Sequence, residues 1–382
     1  MTLLIVVVSL LLYGRTVTFG FDWDDYHFVR PYSATDVARA WTGPWDARDG
    51  IEAPFYRPLT IAFFAGRIAL FGPRPMTLHA LSVVLFGISA GLLAIWLASF
   101  DFSTTAILAG TLTFLTHPVM PPSAAVWITN QMHELELLLV IPALILATRD
   151  PRHWRWLVVL QASAVLVKED AVMLAPAVAA IWVVRGVLVP RGWIAASLAT
   201  VAAYAAVRTW ALGGIGGYEG MTSIVGIIYA PLTVVRLAGY VGAADYIAAL
   251  ALTALGGLAA WTMVNAPLRA AQPLLLSAAL FGLFSGPLIA GRPLPVRSHL
   301  LVVCLAGAVG GAVQLLEGTS RRVWALSLVA TFLIAFVVSN WKATNRLGPC
   351  SVEVLAHDST ARQWGNRVPV ALRDSLAQKA CP

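Results

Sequence analysis

Three carboxylates, Asp22, Asp24 and Asp25, fall within four positions directly behind an apolar run. They are framed by Phe21, Trp23, Tyr26 and Phe28, with His27 beside them. Further on, Tyr56-Arg57-Pro58-Leu59 sets a phenol and a guanidinium just ahead of the next apolar run, and Lys168-Glu169-Asp170 and Arg297 again put charge at the edge of apolar segments. Charge this close to hydrocarbon is costly, which marks such residues as functional candidates. A positioned carboxylate can accept the proton of an attacking hydroxyl. Arginine and lysine can hold a departing phosphate while its charge grows. Together these residue types suit a reaction that needs a base and a phosphate cradle at the depth of a lipid headgroup.

Each feature also has a plainer reading. Asp24 and Asp25 could cap a helix or begin a solvated loop, and Lys168 and Glu169 could pair with each other. Arg297 could reach toward headgroups, and His117, His133 and His299 could pack at helix ends. Trp41, Trp45, Trp127, Trp210 and Trp341 read first as interface anchors. A divalent metal held by Asp24, Asp25 and a histidine is an open alternative, but no ligand spacing supports it and none is predicted.

The elements that must position these residues are membrane helices. Hydrophobic residues make up 59% of the 382 positions and charged ones only 12%, about half the charge of a soluble domain. Mean hydropathy is +0.77. Apolar runs of spanning length recur throughout, so an all-α polytopic membrane protein with about eleven transmembrane helices is expected. The net charge of +7 is scattered through short loops and the tail. That pattern argues against nucleic-acid binding, which needs a basic stripe.

Leu3–Phe19 reads as a retained first helix rather than a cleaved signal, since no basic residue precedes it and no small-residue cleavage site follows. It delivers a long first loop, about residues 20–75, carrying two interfacial helices. One begins at Ser33 with Asp36 three positions on, a capping pattern. The other covers Thr60–Phe71, too short to span and interrupted by Arg67. Spans are then expected over Met76–Phe100, Thr104–Thr116, Leu137–Thr148 with a polar lead-in from Met132, Trp156–Val167, Ala171–Val184 and Trp193–Trp210. Met221–Tyr240 is broken by Pro231 and Arg236. Asp245–Val264, Pro273–Ala290, Leu300–Leu316 and Val323–Asn340 complete the set. Residues 1–340 thus form one membrane domain and 341–382 a short tail. Cys304 reads as a packed thiol; Cys350 and Cys381, in the tail, are either bridged or both free.

Four short loops on one side of this alternation (149–155, 185–191, 265–272 and 317–322) hold eight arginines. The opposite side has Lys168, Arg208, Arg292 and Arg297. The excess of positive charge puts the first set and the N-terminus in the cytoplasm. The acidic loop, Lys168-Glu169-Asp170, Arg297 and the tail then share the extracytoplasmic face, as in a bacterial inner-membrane protein.

These residues also carry a family resemblance. Trp23-Asp24-Asp25-Tyr26-His27-Phe28 resembles the first-loop motif of protein O-mannosyltransferases, Asp-Glu-x-His-Phe. Tyr56-Arg57-Pro58-Leu59 is similar to the Tyr-Arg-Pro-Leu of the tetratricopeptide-bearing transmembrane O-mannosyltransferases. So are His117-Pro118 with Ala125-Val126-Trp127, then Lys168-Glu169, and the arginine heading a late helix, Arg297. The matches run in order to about residue 305. The resemblance implies a GT-C fold and an inverting glycosyltransferase that moves a sugar from a polyprenyl-phosphate donor to an extracytoplasmic acceptor hydroxyl on protein, glycan or lipid. It implies Asp24 as base with Asp25 in support. Arg57, Lys168 and Arg297 are then contacts for the donor phosphate, with His27, Tyr56 and Glu169 completing the binding site. The chain departs from the pattern at Asp25, which replaces a glutamate, and at Pro121-Pro122-Ser123 and Gln131, where the related proteins carry Thr-Glu and a later arginine. Either another residue, with Glu134 and His133 as candidates, compensates, or the acceptor differs. No repeat array follows the last helix. The competing readings are a transporter or flippase of a lipid-linked glycan, and an inactive scaffold of the same fold.

Overall fold

A computed structural model describes residues 2–21, 25–45, 55–117, 126–214, 243–264, 266–289 and 299–346. All regular structure among them is helical. The helices are α1 (Thr2–Tyr13), α2 (Asp25–Phe28), α3 (Ala34–Arg39), α4 (Pro58–Phe71), α5 (Pro75–Ala98), α6 (Thr104–Thr116), α7 (Gln131–Arg149), α8 (Trp154–Val167), α9 (Leu174–Val184), α10 (Arg191–Leu212), α11 (Ala243–Val264), α12 (Leu268–Ile289), α13 (His299–Glu317) and α14 (Arg322–Arg346). Single 3-10 turns extend α1 over Gly14–Thr18 and lead into α7 over Ile128–Asn130 and into α9 over Glu169–Met173.

Among the described residues, five segments are long and apolar enough to cross a membrane: Pro75–Ala98, Ile128–Arg149, Arg191–Leu212, His299–Glu317 and Arg322–Trp341. The burial of each segment locates it in the bundle. In α13, 83% of the most apolar stretch is buried inside the protein, against 11% in α10. Helix α13 is therefore the central post and α10 a peripheral one.

The core is built pairwise: α1 on α5, α5 on α7, α7 on α8 and α8 on α10. On the other side α6 and α12 both pack on α13, and α11 packs on α14. Small residues four apart let α6 and α13 approach closely, with Ala106 and Gly110 facing Ala306 and Gly310. A Cβ added at Gly110 would lie 2.7 Å from the Ala306 carbonyl oxygen, and one at Gly310 3.1 Å from that of Ala106. Close backbone approach through small residues is how membrane helices gain dispersion contact without a hydrophobic driving force. Cys304, on α13, is buried as a free thiol.

The two sides are joined near one end of the bundle. The Tyr13 hydroxyl donates to the Leu115 carbonyl, and the Asn340 amide donates to the Thr116 carbonyl and lies 3.4 Å from the Tyr13 hydroxyl. Arg15 adds a bond of 3.4 Å from Nη2 to the Trp341 carbonyl.

In the first loop, Ser33 caps α3 with a full capping box. Its hydroxyl accepts from the Asp36 N–H, while the Asp36 carboxylate accepts from the Ser33 N–H. The helix expected around Thr60–Phe71 is α4, and within it Arg67 points into the protein. It is 2% exposed and donates to the Ile128 carbonyl at 2.9 Å and to Gln131 Oε1 at 2.5 Å. Its guanidinium carbon sits 3.9 Å from the centroid of the Phe64 ring. The tryptophans divide too: Trp210 and Trp341 are exposed, as anchors would be, whereas Trp45 is buried against Phe28 and Phe55.

Candidate functional site

The polar run Thr129-Asn130-Gln131-Met132-His133-Glu134-Leu135-Glu136 opens α7 and is buried throughout except at Leu135. Segments far apart in sequence converge on it.

Asp25, at the start of α2, is fully buried, with one carboxylate oxygen accepting from the Ile128 N–H at 3.1 Å. The other accepts from the Thr129 N–H at 2.6 Å and the Thr129 hydroxyl at 2.7 Å. Three donors on one carboxylate fix the 3-10 turn ahead of α7. Two N–H groups ahead of α7 would otherwise lack an intrahelical partner. Arg67 grips the same turn from its carbonyl side. Gln131 links three elements, accepting from Arg67 and donating to the Leu78 carbonyl at 2.8 Å and the Ser82 hydroxyl at 2.6 Å on α5.

Arg57 precedes α4 and reaches the turn after α8. Its Nε and Nη2 donate to Glu169 Oε2 and Oε1 at 2.8 and 2.6 Å, the bidentate geometry a guanidinium favours. The group lies 4.2 Å from the Phe55 ring and 4.9 Å from Trp45, and Nη1 meets Met132 Sδ at 3.4 Å. Tyr56, buried beside it, donates to the Trp41 carbonyl at 3.1 Å. Burial alone would raise the Glu169 carboxyl, but Arg57, and then Lys168, hold it down at about 2, from an ordinary 4.5.

Lys168 is not paired with its neighbour Glu169. Its ammonium contacts the Asp170 carboxylate directly and lies 3.6 Å from Glu136 Oε2. Burial lowers this lysine's affinity for its proton, and Asp170 and Glu136 more than restore it, leaving it raised. Asp170 is pushed up to about 7 by burial and by the Glu136 charge, against Lys168. The 3-10 turn over Glu169–Met173 explains the split, since it sends adjacent side chains to different partners.

His133 and His299 meet in the interior with ring centroids 4.4 Å apart. His133 Nδ1 is 3.8 Å from Glu136 Oε2, and His299 Nδ1 is 3.8 Å from Glu134 Oε1. They are not isolated helix-end packing residues, because each faces a buried glutamate. His117 does pack at the end of α6, its ring 5.0 Å from that of Phe336.

Of the residues singled out in the sequence, Asp25, Arg57, Lys168 and Glu169 are thus gathered around the head of α7, with Tyr56 adjoining. His27 is half-buried with its ring edge-on to Phe28 at 4.8 Å, and Phe28 in turn meets Trp45 and Phe64. Asp24, Arg297, Cys350 and Cys381 lie outside the described residues. Arg67, Thr129, Gln131, Glu136 and Tyr204 were not picked out as site residues. Tyr204, on α10, stands 6.2 Å from Tyr56 between ring centroids and 3.4 Å from Arg208 Nη1. The available signal was the density of polar residues at 129–136 immediately before an apolar helix. Among the described residues, no three His, Cys, Asp or Glu side chains are placed to hold a metal ion.

A separate cavity of about 330 Å³ lies between α11, α12, α13 and α14. Leu255, Ala259, Leu274, Leu305 and Phe336 line it, and His117 contributes its main polar group. Its chemistry is that of a hydrocarbon pocket. Comparison with protein-family models, with curated proteins and with solved structures returned no match to this chain.

Proposed function

We propose that this protein is a membrane glycosyltransferase of GT-C type that transfers a sugar from a polyprenyl-phosphate donor to an extracytoplasmic acceptor hydroxyl. The observation that carries this reading is the meeting of Asp25, Arg57, Lys168 and Glu169, from three separated segments, around the head of α7. A donor phosphate needs cations at a fixed depth, and a base needs a rigid frame. In this reading Asp24 takes the acceptor proton, and Asp25, tied to the turn before α7, holds the loop that carries Asp24. Arg57, Lys168 and Arg297 serve the phosphate, and Arg57 and Lys168 stay charged between turnovers through their pairs with Glu169, Asp170 and Glu136. The apolar cavity beside α13 is of the kind a prenyl chain fills. About eleven spans, an extracytoplasmic first loop and 168–170 turn, a cytoplasmic N-terminus and a bacterial inner-membrane location complete the proposal.

The test is incubation of the purified protein, in vesicles, with labelled polyprenyl-phosphate sugars, following transfer or donor hydrolysis. Asp24→Asn is expected to abolish the product while the protein remains folded in the membrane. Near-normal turnover by that variant removes Asp24 as the base. One observation favours a second reading, transport of a lipid-linked glycan: the row of buried titratable groups from Glu134 to Asp170, of a kind also found along transport paths. Uptake of labelled lipid-linked sugar into sealed vesicles with no glycosyl product would decide for it.

A further inference from the structure

Arg57 grips an anion that belongs to the protein itself. Its Nε and Nη2 donate to the two Glu169 oxygens at 2.8 and 2.6 Å. A phosphate group offers a guanidinium the same pair of parallel acceptors, so carboxylate and phosphate compete for one fork.

The two partners are held very differently. Arg57 caps α4 directly ahead of Pro58, its guanidinium carbon lies 4.2 Å from the Phe55 ring and 4.9 Å from Trp45, and its side chain is 7% exposed. Rings on the guanidinium keep the cation in place. The Glu169 side chain is 28% exposed and opens the 3-10 turn Glu169–Met173. Apart from Arg57 its hold is local, since the carboxylate also accepts from its own N–H. The residues on either side are anchored without it. The Lys168 ammonium contacts Asp170, the Lys168 N–H donates to the Ala164 carbonyl at 2.9 Å, and the Ala171 N–H donates to the Lys168 carbonyl at 3.2 Å. Rotation of the Glu169 side chain toward water therefore leaves the Lys168–Asp170 contact and the turn intact.

The place it would vacate is suited to a negative group. The Lys168 charge acts on it together with that of Arg57. Tyr204 on α10, on which the charges of both Arg57 and Glu169 act, lies 3.4 Å from Arg208 Nη1. Emptying the fork altogether would leave a buried cation uncompensated, which is strongly unfavourable. The exchange that costs least is one anion for another.

We propose that the Arg57 fork is a phosphate-binding site whose resident anion is the Glu169 carboxylate, and that the phosphate of a lipid-linked ligand takes the site by displacing Glu169 outward to water. The inference rests on the reading in which Arg57 serves the donor phosphate, and it makes Glu169 a competitor for the site instead of a contact in the bound complex. The apparent affinity for phosphate is then reduced by the fraction of molecules in which the pair is open.

Carbodiimide labelling of the wild-type chain in phosphatidylcholine vesicles, read by mass spectrometry at Glu169, tests the exchange. Polyprenyl monophosphate is one probe and inorganic phosphate the other. Labelling of Glu169 is expected to rise several-fold when polyprenyl monophosphate saturates the protein. A rise with inorganic phosphate as well puts recognition in the phosphate group alone; a rise with the lipid only adds its chain to what is recognised. Glu169→Gln, which keeps the shape but not the charge, should bind polyprenyl monophosphate about tenfold more tightly. Because the labelling uses the unsubstituted chain, its result stands even if the variant does not fold. Failure of both probes to bind, labelling that stays level or falls when a probe is bound, or equal or weaker binding by folded Glu169→Gln each overturns the proposal. Sugar transfer with Glu169 still protected would sink the exchange and leave the transferase reading, whereas release of Glu169 without transfer from any labelled donor would do the reverse.

Discussion

Arg57 holds Glu169 with two hydrogen bonds while its guanidinium is flanked by Trp45 and Phe55, and this combination sets the response of the site to acid. The Glu169 carboxyl is lowered in the folded protein, from 4.5 to about 2. Its contribution to stability is therefore complete above pH 4.5 and is lost as pH falls from there to about 2. Thermal unfolding of wild type and Glu169→Gln across that range should show the wild-type advantage shrinking toward zero at the acid end. An advantage independent of pH would mean the pair is not what the carboxylate contributes. Replacing Arg57 with Ala should cost more, toward the low end of about 3–5 kcal/mol, because it leaves Glu169 largely buried without its partner. Sequence made these residues legible by type, as charges flanking apolar runs. It could not reveal the pairing, because Lys168 and Glu169 are covalent neighbours and the simplest assumption joins them. The 3-10 turn separates them, and its geometry depends on what α4 and α7 offer on either side.

At the scale of helices, hydropathy located the described elements to within a few residues, since a continuous apolar run ended by Gly, Pro or charge has few other outcomes. At α4 it leaves one choice open. A short apolar helix with one arginine has the same pattern whether that arginine reaches toward headgroups or inward to a carbonyl. The choice was made by the turn at Ile128–Asn130 and by Gln131, which lie more than fifty residues away in sequence. The α6–α13 seam gives a direct test of packing. Gly110→Ala sets a methyl 2.7 Å from both the Ala306 carbonyl oxygen and a Leu97 side-chain carbon. Overpacking of this kind costs about 1–3 kcal/mol. Gly66→Ala in α4, where an added Cβ meets nothing within 4 Å, should instead be neutral or stabilise by about 0.5–1 kcal/mol. Unfolding midpoints of the two variants that moved in the same direction would contradict the close approach of α6 and α13.

For the molecule as a whole, the excess of arginine in alternate short loops predicts that α3 faces outward and the turn before α14 faces the cytoplasm. Cysteine placed at Ala34 or at Ser320, both exposed, reports this in a background with Cys350 and Cys381 replaced by serine. An impermeant thiol reagent added outside intact cells should label Ala34→Cys and leave Ser320→Cys untouched until the cells are opened. The reverse pattern would invert the topology. The tie between Tyr13 and Asn340 bears on how such a chain is made. The two residues are separated by 327 positions, so a ribosome that has already released α1 into the bilayer must deliver nearly all the intervening helices before the tyrosine meets that amide. Until then α1 rests on α5 and, through the Tyr13–Leu115 bond, on the end of α6, and the bundle stays open on the side where α14 will dock. Synthesis halted before residue 340 should therefore leave a chain that inserts but does not close, exposed to the proteases that survey unfinished membrane proteins.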